Sequence, residues 1–266
     1  MPVFLPTRRA SGIRRRLLAW YRVHKRPLPW RGETDPYFVW VSELMLQQTQ
    51  AAAVVPYYRR FVQRFPSMSA LARAPLGRVL KAWEGLGYYR RARYLHDGAR
   101  RLMREHGGRF PRDYALARKI PGVGEYTAGA VLSIAYGLPL PALDANAARV
   151  LSRLFAEPDA AGPRLRRIAA LLVPKKGAGE WTQALMELGA LVCSPRRPRC
   201  GECPLQRRCR ARALGSPDDF PQKTRRAAPK AVRAAAAVLA GGGRFLLRRR
   251  RERFLGGLWE FPWWEV

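Results

Sequence analysis

The chain has 266 residues, 48% of them hydrophobic, enough apolar mass for sizeable cores and two or three compact units. Lysine and arginine number 50 against 19 acidic residues. The resulting net charge of +31 draws polyanions, nucleic acid first among them, unless a codon bias toward arginine explains it. No stretch is long and apolar enough to span a membrane, and Met1 to Ala10 lacks the apolar run of a signal peptide. A cytoplasmic, nucleoid-associated chain with reduced cysteines is expected, which excludes a disulfide scaffold.

Ser11 is placed to cap a first helix running to about Val23, with Ile13, Leu17, Leu18 and Tyr21 at helical spacing. The proline-rich stretch His24 to Trp30 breaks it, and Asp35-Pro36 starts the next as N-cap and first-turn proline. Short helices are then predicted over 36–47, 51–64, 69–83, 88–106, 112–119, 126–136 and 145–154. A further pair covers 163–172 and 180–192. No alternating pattern competes, so this part reads as all-α. Residues 214–231 read as a linker. After it, Ala231–Ala240, three glycines and Arg244–Arg251 predict a strand, a turn and a strand. A hairpin with a short tail to Val266 cannot bury a core, so this last segment reads as part of a larger β domain.

Residues 37–46 are apolar nearly all round, which predicts a buried helix, yet Glu43 lies within it. A buried carboxyl either pairs with a cation, here one of many arginines, or keeps its proton. The second outcome is what a general acid at neutral pH needs. Ile120-Pro121-Gly122-Val123-Gly124, between two helices, has the helix-hairpin-helix pattern, a sequence-independent grip on a DNA phosphate. In Leu143-Asp144-Ala145-Asn146 the carboxylate is an N-cap, a stabiliser of positive charge developing on a sugar, or both.

All four cysteines fall in one run, Cys193, Cys200, Cys203 and Cys209, spaced Cys-x6-Cys-x2-Cys-x5-Cys. Clustered thiols in a reducing compartment are metal ligands. A single Cys-x2-Cys knuckle fits a four-cysteine iron–sulfur cluster better than a zinc ribbon. The loop between Cys193 and Cys200 carries Arg196, Arg197 and Arg199, which suit phosphates.

These residues, with Leu28-Pro29-Trp30-Arg31, the block Val39 to Gln50, Gly85-Leu86-Gly87-Tyr88-Tyr89 and Leu188-Gly189-Ala190, resemble the MutY-type adenine DNA glycosylases of the endonuclease III superfamily. The likeness implies a mainly α helix-hairpin-helix glycosylase with an iron–sulfur subdomain and a 4Fe–4S cluster on the four cysteines. An incomplete β segment, Nudix-like, would follow. It implies a helix-hairpin-helix domain over 31–138, an iron–sulfur domain from 1–30 plus 139–213, and the partial Nudix-like domain over 232–266. It further implies monofunctional removal of adenine mispaired with 8-oxoguanine or G in double-stranded DNA, by a monomer. In that likeness Glu43 protonates the base and later handles the water, Asp144 stabilises the sugar cation, and Tyr126 and Asn146 support them. Arg26, Trp30, Leu46 and Glu187 would line the base pocket. Arg31, Gln48, Thr49, Leu86, Tyr88, Gly122, Val123 and Gly124 would meet the DNA.

Two departures stand out. Ala145 replaces the family's usual glycine, and the C-terminal domain that inspects 8-oxoguanine is represented only by its opening hairpin and Leu255 to Pro262. A bifunctional glycosylase/lyase is disfavoured because Tyr126 stands where those relatives carry a Schiff-base lysine, and tyrosine cannot form that imine. A non-catalytic iron–sulfur DNA-binding protein would have no use for both Glu43 and Asp144. A Nudix hydrolase would need a metal-binding acidic box, whereas only Glu252, Glu260 and Glu265 follow residue 231.

Overall fold

The structure, a computed structural model, describes residues 5–222, 231–250 and 258–266. Helix α1 (Thr7–His24) begins four residues before the expected cap. Pro6 supplies the extended residue ahead of it, and Ser11 lies inside, its hydroxyl donating to the Arg8 carbonyl at 3.1 Å. Asp35 does cap α2 (Pro36–Leu46), accepting from the Tyr37 amide at 2.8 Å. After α3 (Ala51–Arg64), the helix expected over 69–83 is two: α4 (Met68–Arg73) and α5 (Leu76–Trp83). Pro75 is the reason, because a residue before proline avoids helical geometry and Ala74 is extended. Then come α6 (Arg90–His106), the short α7 (Tyr114–Ala117), α8 (Glu125–Tyr136), α9 (Ala145–Phe155), α10 (Pro163–Leu172) and α11 (Ala178–Leu191). A last turn of helix, α12 (Arg210–Ala213), follows the cysteines.

Helix α2 packs against α3, α6 and α8, so the apolar all-round pattern has its physical cause in neighbours on every side. This forms one core, from Trp30 to Leu132, with Trp40 and Trp83 wholly buried. A second core joins α1, α9, α10 and α11, and Cys193, Cys203 and Cys209 pack against it. Helix α11 also contacts α8, which ties the two cores together along a seam. Gly129 on α8 lets the loop before α9 cross closely, since a Cβ there would lie 2.1 Å from the Pro141 carbonyl oxygen. No described helix is long and apolar enough to cross a membrane.

The predicted linker is shorter at its start than expected. Residues 217–222 pack on the helical unit, where the Phe220 carbonyl accepts from Arg153 at 2.9 Å and the Gln222 amide donates to Pro158 at 2.9 Å. Residues 223–230 lie outside the described ones.

Lys223–Val266 form a separate unit. In it β2 (Ala240–Gly241) pairs with β3 (Arg244–Phe245) across a turn in which Gly242 and Gly243 both have positive φ, 53° and 71°. The expected continuous hairpin is not formed. β1 (Ala234–Ala236) pairs instead with β6 (Trp263–Glu265), and β4 (Arg248–Arg249) with β5 (Trp259–Glu260). Glu260 accounts for much of this register by accepting from Arg248, Arg250 and the Trp263 indole at 2.9–3.0 Å. Phe245, Leu246, Trp259 and Trp264 remain exposed, and Glu252, Leu255, Gly256 and Gly257 lie outside the described residues.

Candidate active site

A cleft opens along the seam between the two helical cores, lined by residues of the α1–α2 loop, α2, the hairpin before α8, the start of α9, and α11. Glu43 projects into it from a position 96% removed from solvent, being only 4% exposed. The Tyr126 hydroxyl, in the first turn of α8, donates to Glu43 Oε2 and also lies 3.8 Å from the Met186 sulfur. Burial drives the Glu43 carboxyl up to about 7; the Tyr126 hydrogen bond opposes this, the charge of Asp144 adds to it, and Arg31 opposes it weakly. Burial and the same acidic neighbours hold Tyr126 well above its ordinary value, so its proton stays on.

Asp144 is indeed an N-cap. Its Oδ1 accepts from the Ala147 amide at 2.6 Å and its Oδ2 from Asn146 Nδ2 at 2.9 Å. Burial raises its pKa, against these hydrogen bonds and the charge of Arg149, which all favour the carboxylate. Arg149 fixes Asn146 in turn, donating to its Oδ1 at 2.8 Å, to the Gly189 carbonyl at 2.8 Å and to the Cys193 carbonyl at 2.7 Å. Ala145 stands exposed at the first position of α9, so the departure from glycine meets no wall there.

Glu187, 1% exposed, is gripped by the Arg26 backbone and side chain at 2.8–3.0 Å and by Arg31 at 2.5 Å. Burial pushes this carboxyl up, but the Arg26 hydrogen bond and the Arg31 charge outweigh it and hold the pKa below the usual range. Arg31 also donates to Gln183 at 2.6 Å. Arg31, expected on DNA, thus shares its guanidinium between Glu187 and Gln183 on the cleft wall. Trp30 is buried, edge-on to Tyr58, and Leu46 is half-buried on the cleft wall.

At the hairpin, the Val123 amide closes a turn on Ile120 at 3.0 Å, and Gly122 sits at φ 78° where a Cβ would be 2.8 Å from that of Tyr94. Val123 is buried, and Gly124 opens α8 with its first-turn amides uncapped by a side chain. Gln48 is exposed and Thr49 half-buried beyond the end of α2. Tyr88 is 57% exposed, whereas Leu86 is 7% exposed. Leu86, expected to enter a duplex, is thus a core side chain here, held by the same apolar cluster as Trp83.

The four cysteines ring one hollow whose walls include Val150, Leu154, Leu188 and Leu205. Burial pushes the Cys203 thiol up to about 12, so a thiolate there requires a cation beside it. Among the described residues, no three His, Cys, Asp or Glu side chains are grouped as ligands of a single ion. The donor set nevertheless fits a multi-iron cluster, four soft ligands around one apolar space. Arg153, 2% exposed, braces the following loop through the carbonyls of Ser194 at 2.6 Å and Pro195 at 3.0 Å. Arg196 and Arg197 are exposed, while Arg199 pairs with Glu202 at 2.9 Å.

Sequence reasoning missed Arg91, Arg149 and Arg153. Arg91 had a signal, since it falls on the buried face of α6 with Leu95 and Leu102. The other two sit among apolar positions of α9 in the same way.

Residues 41–175 match the HhH-GPD superfamily base excision DNA repair protein family. The chain is 44% identical to an adenine DNA glycosylase of Mycobacterium tuberculosis, over 77% of this chain and 71% of that protein. It is 44% identical to the human adenine DNA glycosylase over 79% of this chain, but spans only 41% of that relative's length. Among solved structures, a thermostable thymine-DNA glycosylase superposes with a TM-score of 0.72 at 28% identity, covering 77% of this chain and 97% of that one. A trapped endonuclease III–DNA covalent intermediate shares the fold, with a TM-score of 0.67 at 22% identity over 80% of this chain and 99% of that one.

Proposed function

Because the chain belongs to the HhH-GPD superfamily of base excision DNA repair proteins, and within it to the adenine DNA glycosylases, we propose that it removes adenine from duplex DNA by hydrolysing the N-glycosidic bond. The observation that carries this reading is the Tyr126–Glu43 pair, with the acid buried on the wall of the cleft that Asp144 also lines. A base must leave the stack before such groups can reach it. The flipped adenine would lie in the cleft among Arg26, Trp30, Leu46 and Glu187.

Two carboxyls in different surroundings sort themselves into two roles. Glu43, with few hydrogen bonds to favour its charge, keeps its proton near neutral pH and gives it to the base. The bond from the sugar C1′ to the base nitrogen then breaks, and its electron pair leaves with adenine. Asp144, held toward the carboxylate by Ala147 and Asn146, faces the positive charge left on the sugar. Water adds at C1′ and loses a proton to Glu43, which restores the acid. Tyr126 keeps the Glu43 carboxyl oriented throughout.

The mispair partners are 8-oxoguanine or G in double-stranded DNA. The hairpin Gly122–Gly124 would hold a phosphate on the uncapped amides of α8, and Gln48, Thr49 and Tyr88 would enter the duplex and meet the base opposite the adenine. A 4Fe–4S cluster on Cys193, Cys200, Cys203 and Cys209 would shape the loop that presents Arg196 and Arg197 to phosphates. The core from Trp30 to Leu132 would serve as the helix-hairpin-helix domain and the second core as the iron–sulfur domain, in a cytoplasmic monomer. Release of free adenine from duplexes with A opposite 8-oxoguanine, G or C tests the reading. Release opposite the first two is expected; none from any of the three by iron-loaded protein overturns it.

A further inference from the structure

Arg91 lies on the inner face of α6, 6% exposed, between the Gln47–Thr49 loop, which lines the cleft, and the Leu86–Tyr88 loop. Its Nη1 donates to the carbonyls of Leu44 at 3.1 Å, Met45 at 2.7 Å and Gln47. These belong to the last turn and cap of α2, which has no basic residue of its own there. Its Nη2 donates to Gly87 at 3.1 Å and Leu86 at 3.4 Å. The guanidinium also sits 5.5 Å from the Trp83 ring centre and 5.2 Å from that of Tyr88.

Packing alone does not call for a guanidinium at such a place. An apolar side chain of similar length fills a core without the desolvation cost, and burial lowers Arg91 to about 10. What the planar fork supplies is a fixed distance between two backbone segments, one on each nitrogen. Both segments carry a non-glycine residue in left-handed backbone, Gln48 at φ 56° and Tyr88 at φ 49°. That conformation is strained for a residue with a side chain and persists only where the surroundings over-determine it. Arg91 bonds the carbonyl of the residue just before each: Gln47 before Gln48, Gly87 before Tyr88.

We propose that Arg91 is a positioning residue, which locks the Gln47–Thr49 and Leu86–Tyr88 loops at one separation so that Gln48 and Tyr88 act together on the base opposite the excised adenine. The inference rests on the proposed function in assigning that opposing base to these loops. It differs from a purely structural role, in which Arg91 would stabilise the fold without bearing on the opposing base. Lysine, a point charge with no fork, cannot span both sets of carbonyls.

The test uses the full chain with Arg91→Lys and Arg91→Met, the second filling the volume without charge. Thermal unfolding gives the folded fraction. A duplex with 2-aminopurine opposite the target adenine reads unstacking of the opposing base as a rise in emission on binding. Both variants are expected to bind the duplex within about threefold of wild type yet lose most of that rise, because phosphate contacts lie elsewhere. The ratio of excision from A:8-oxoguanine over A:G should narrow about tenfold, since a lost polar partner is worth that much discrimination. Full emission and an unchanged ratio in folded variants would overturn the proposal, as would loss in step with unfolded protein or failure of both variants to fold. The emission arm needs no excision. If wild-type protein released no adenine, the activity would fall while Arg91 remained under test.

Discussion

Tyr126 donates a hydrogen bond to buried Glu43 on the cleft wall, so the acid is held in one orientation by a neighbour that does not itself give up its proton. Burial raises the Glu43 pKa to about 7 in the folded chain, above the 4.5 of a free carboxyl. Protonated Glu43 is therefore the competent form at and below neutrality.

Single-turnover excision should fall above about pH 7, and Glu43→Gln should abolish the activity. Linkage gives the sign for stability. The folded state binds the proton more tightly, so Glu43 is favourable at low pH and loses that contribution as pH rises from 4.5 toward 7. Glu43→Gln should then melt higher than wild type at pH 8. A rate independent of pH between 6 and 9 would remove Glu43 as the acid.

Asp144→Asn preserves the cap geometry in outline but deletes the charge facing the sugar. It should bind duplex with near wild-type affinity and excise at least a hundredfold more slowly, a loss of about 3 kcal/mol in transition-state stabilisation. Excision within about tenfold of wild type would show that Asp144 is a cap and nothing more.

Gly189 on α11 lies against the start of α9, where an added Cβ would come 2.6 Å from Asn146 Cβ and 2.9 Å from its carbonyl oxygen. Gly189→Ala should destabilise the chain by about 1–3 kcal/mol and slow excision further, because relief of the overlap moves Asn146 and with it Asp144. Thermal unfolding and single-turnover rates, measured together, check both halves. An unshifted midpoint with full activity contradicts the packing described.

Tyr126, beside Glu43, cannot form an imine with the sugar as a lysine would, so the proposed reaction is monofunctional. Borohydride should trap no covalent protein–DNA adduct in appreciable yield, and the abasic strand should stay intact until heat or alkali is applied. Trapping comparable with a true lyase would reassign the reaction.

Anaerobically purified protein should be brown and contain iron and sulfide in near-equal amounts, with absorbance near ~400 nm. Removing the iron should weaken DNA binding more than it lowers helix content, since the cysteines pack at the edge of the second core. Stoichiometric zinc without iron would overturn the cluster.

Local features made much of the site legible in the sequence. An acid in a helix apolar on every side, two glycines in a turn between helices, an Asp opening a helix and four cysteines in one run each carry their chemistry within about ten residues, the range over which periodicity, capping and turn rules act. Partnership across the chain was decided by the tertiary structure. Arg26 meets Glu187 across 161 positions, and Arg31 meets the same carboxylate across 156. Leu86 and Arg91 lie five positions apart and both are inside; the apolar face of α6 marks Arg91 in the sequence, whereas the carbonyls of Leu44, Met45 and Gln47 that it meets lie more than forty positions away. The strand β1 took β6 rather than the nearer β3 because pairing is settled by which backbone edge and which charge lie opposite. Sequence spacing determines what a residue can do, and burial determines which partner it must do it with, since an unpaired charge away from water is too costly to keep.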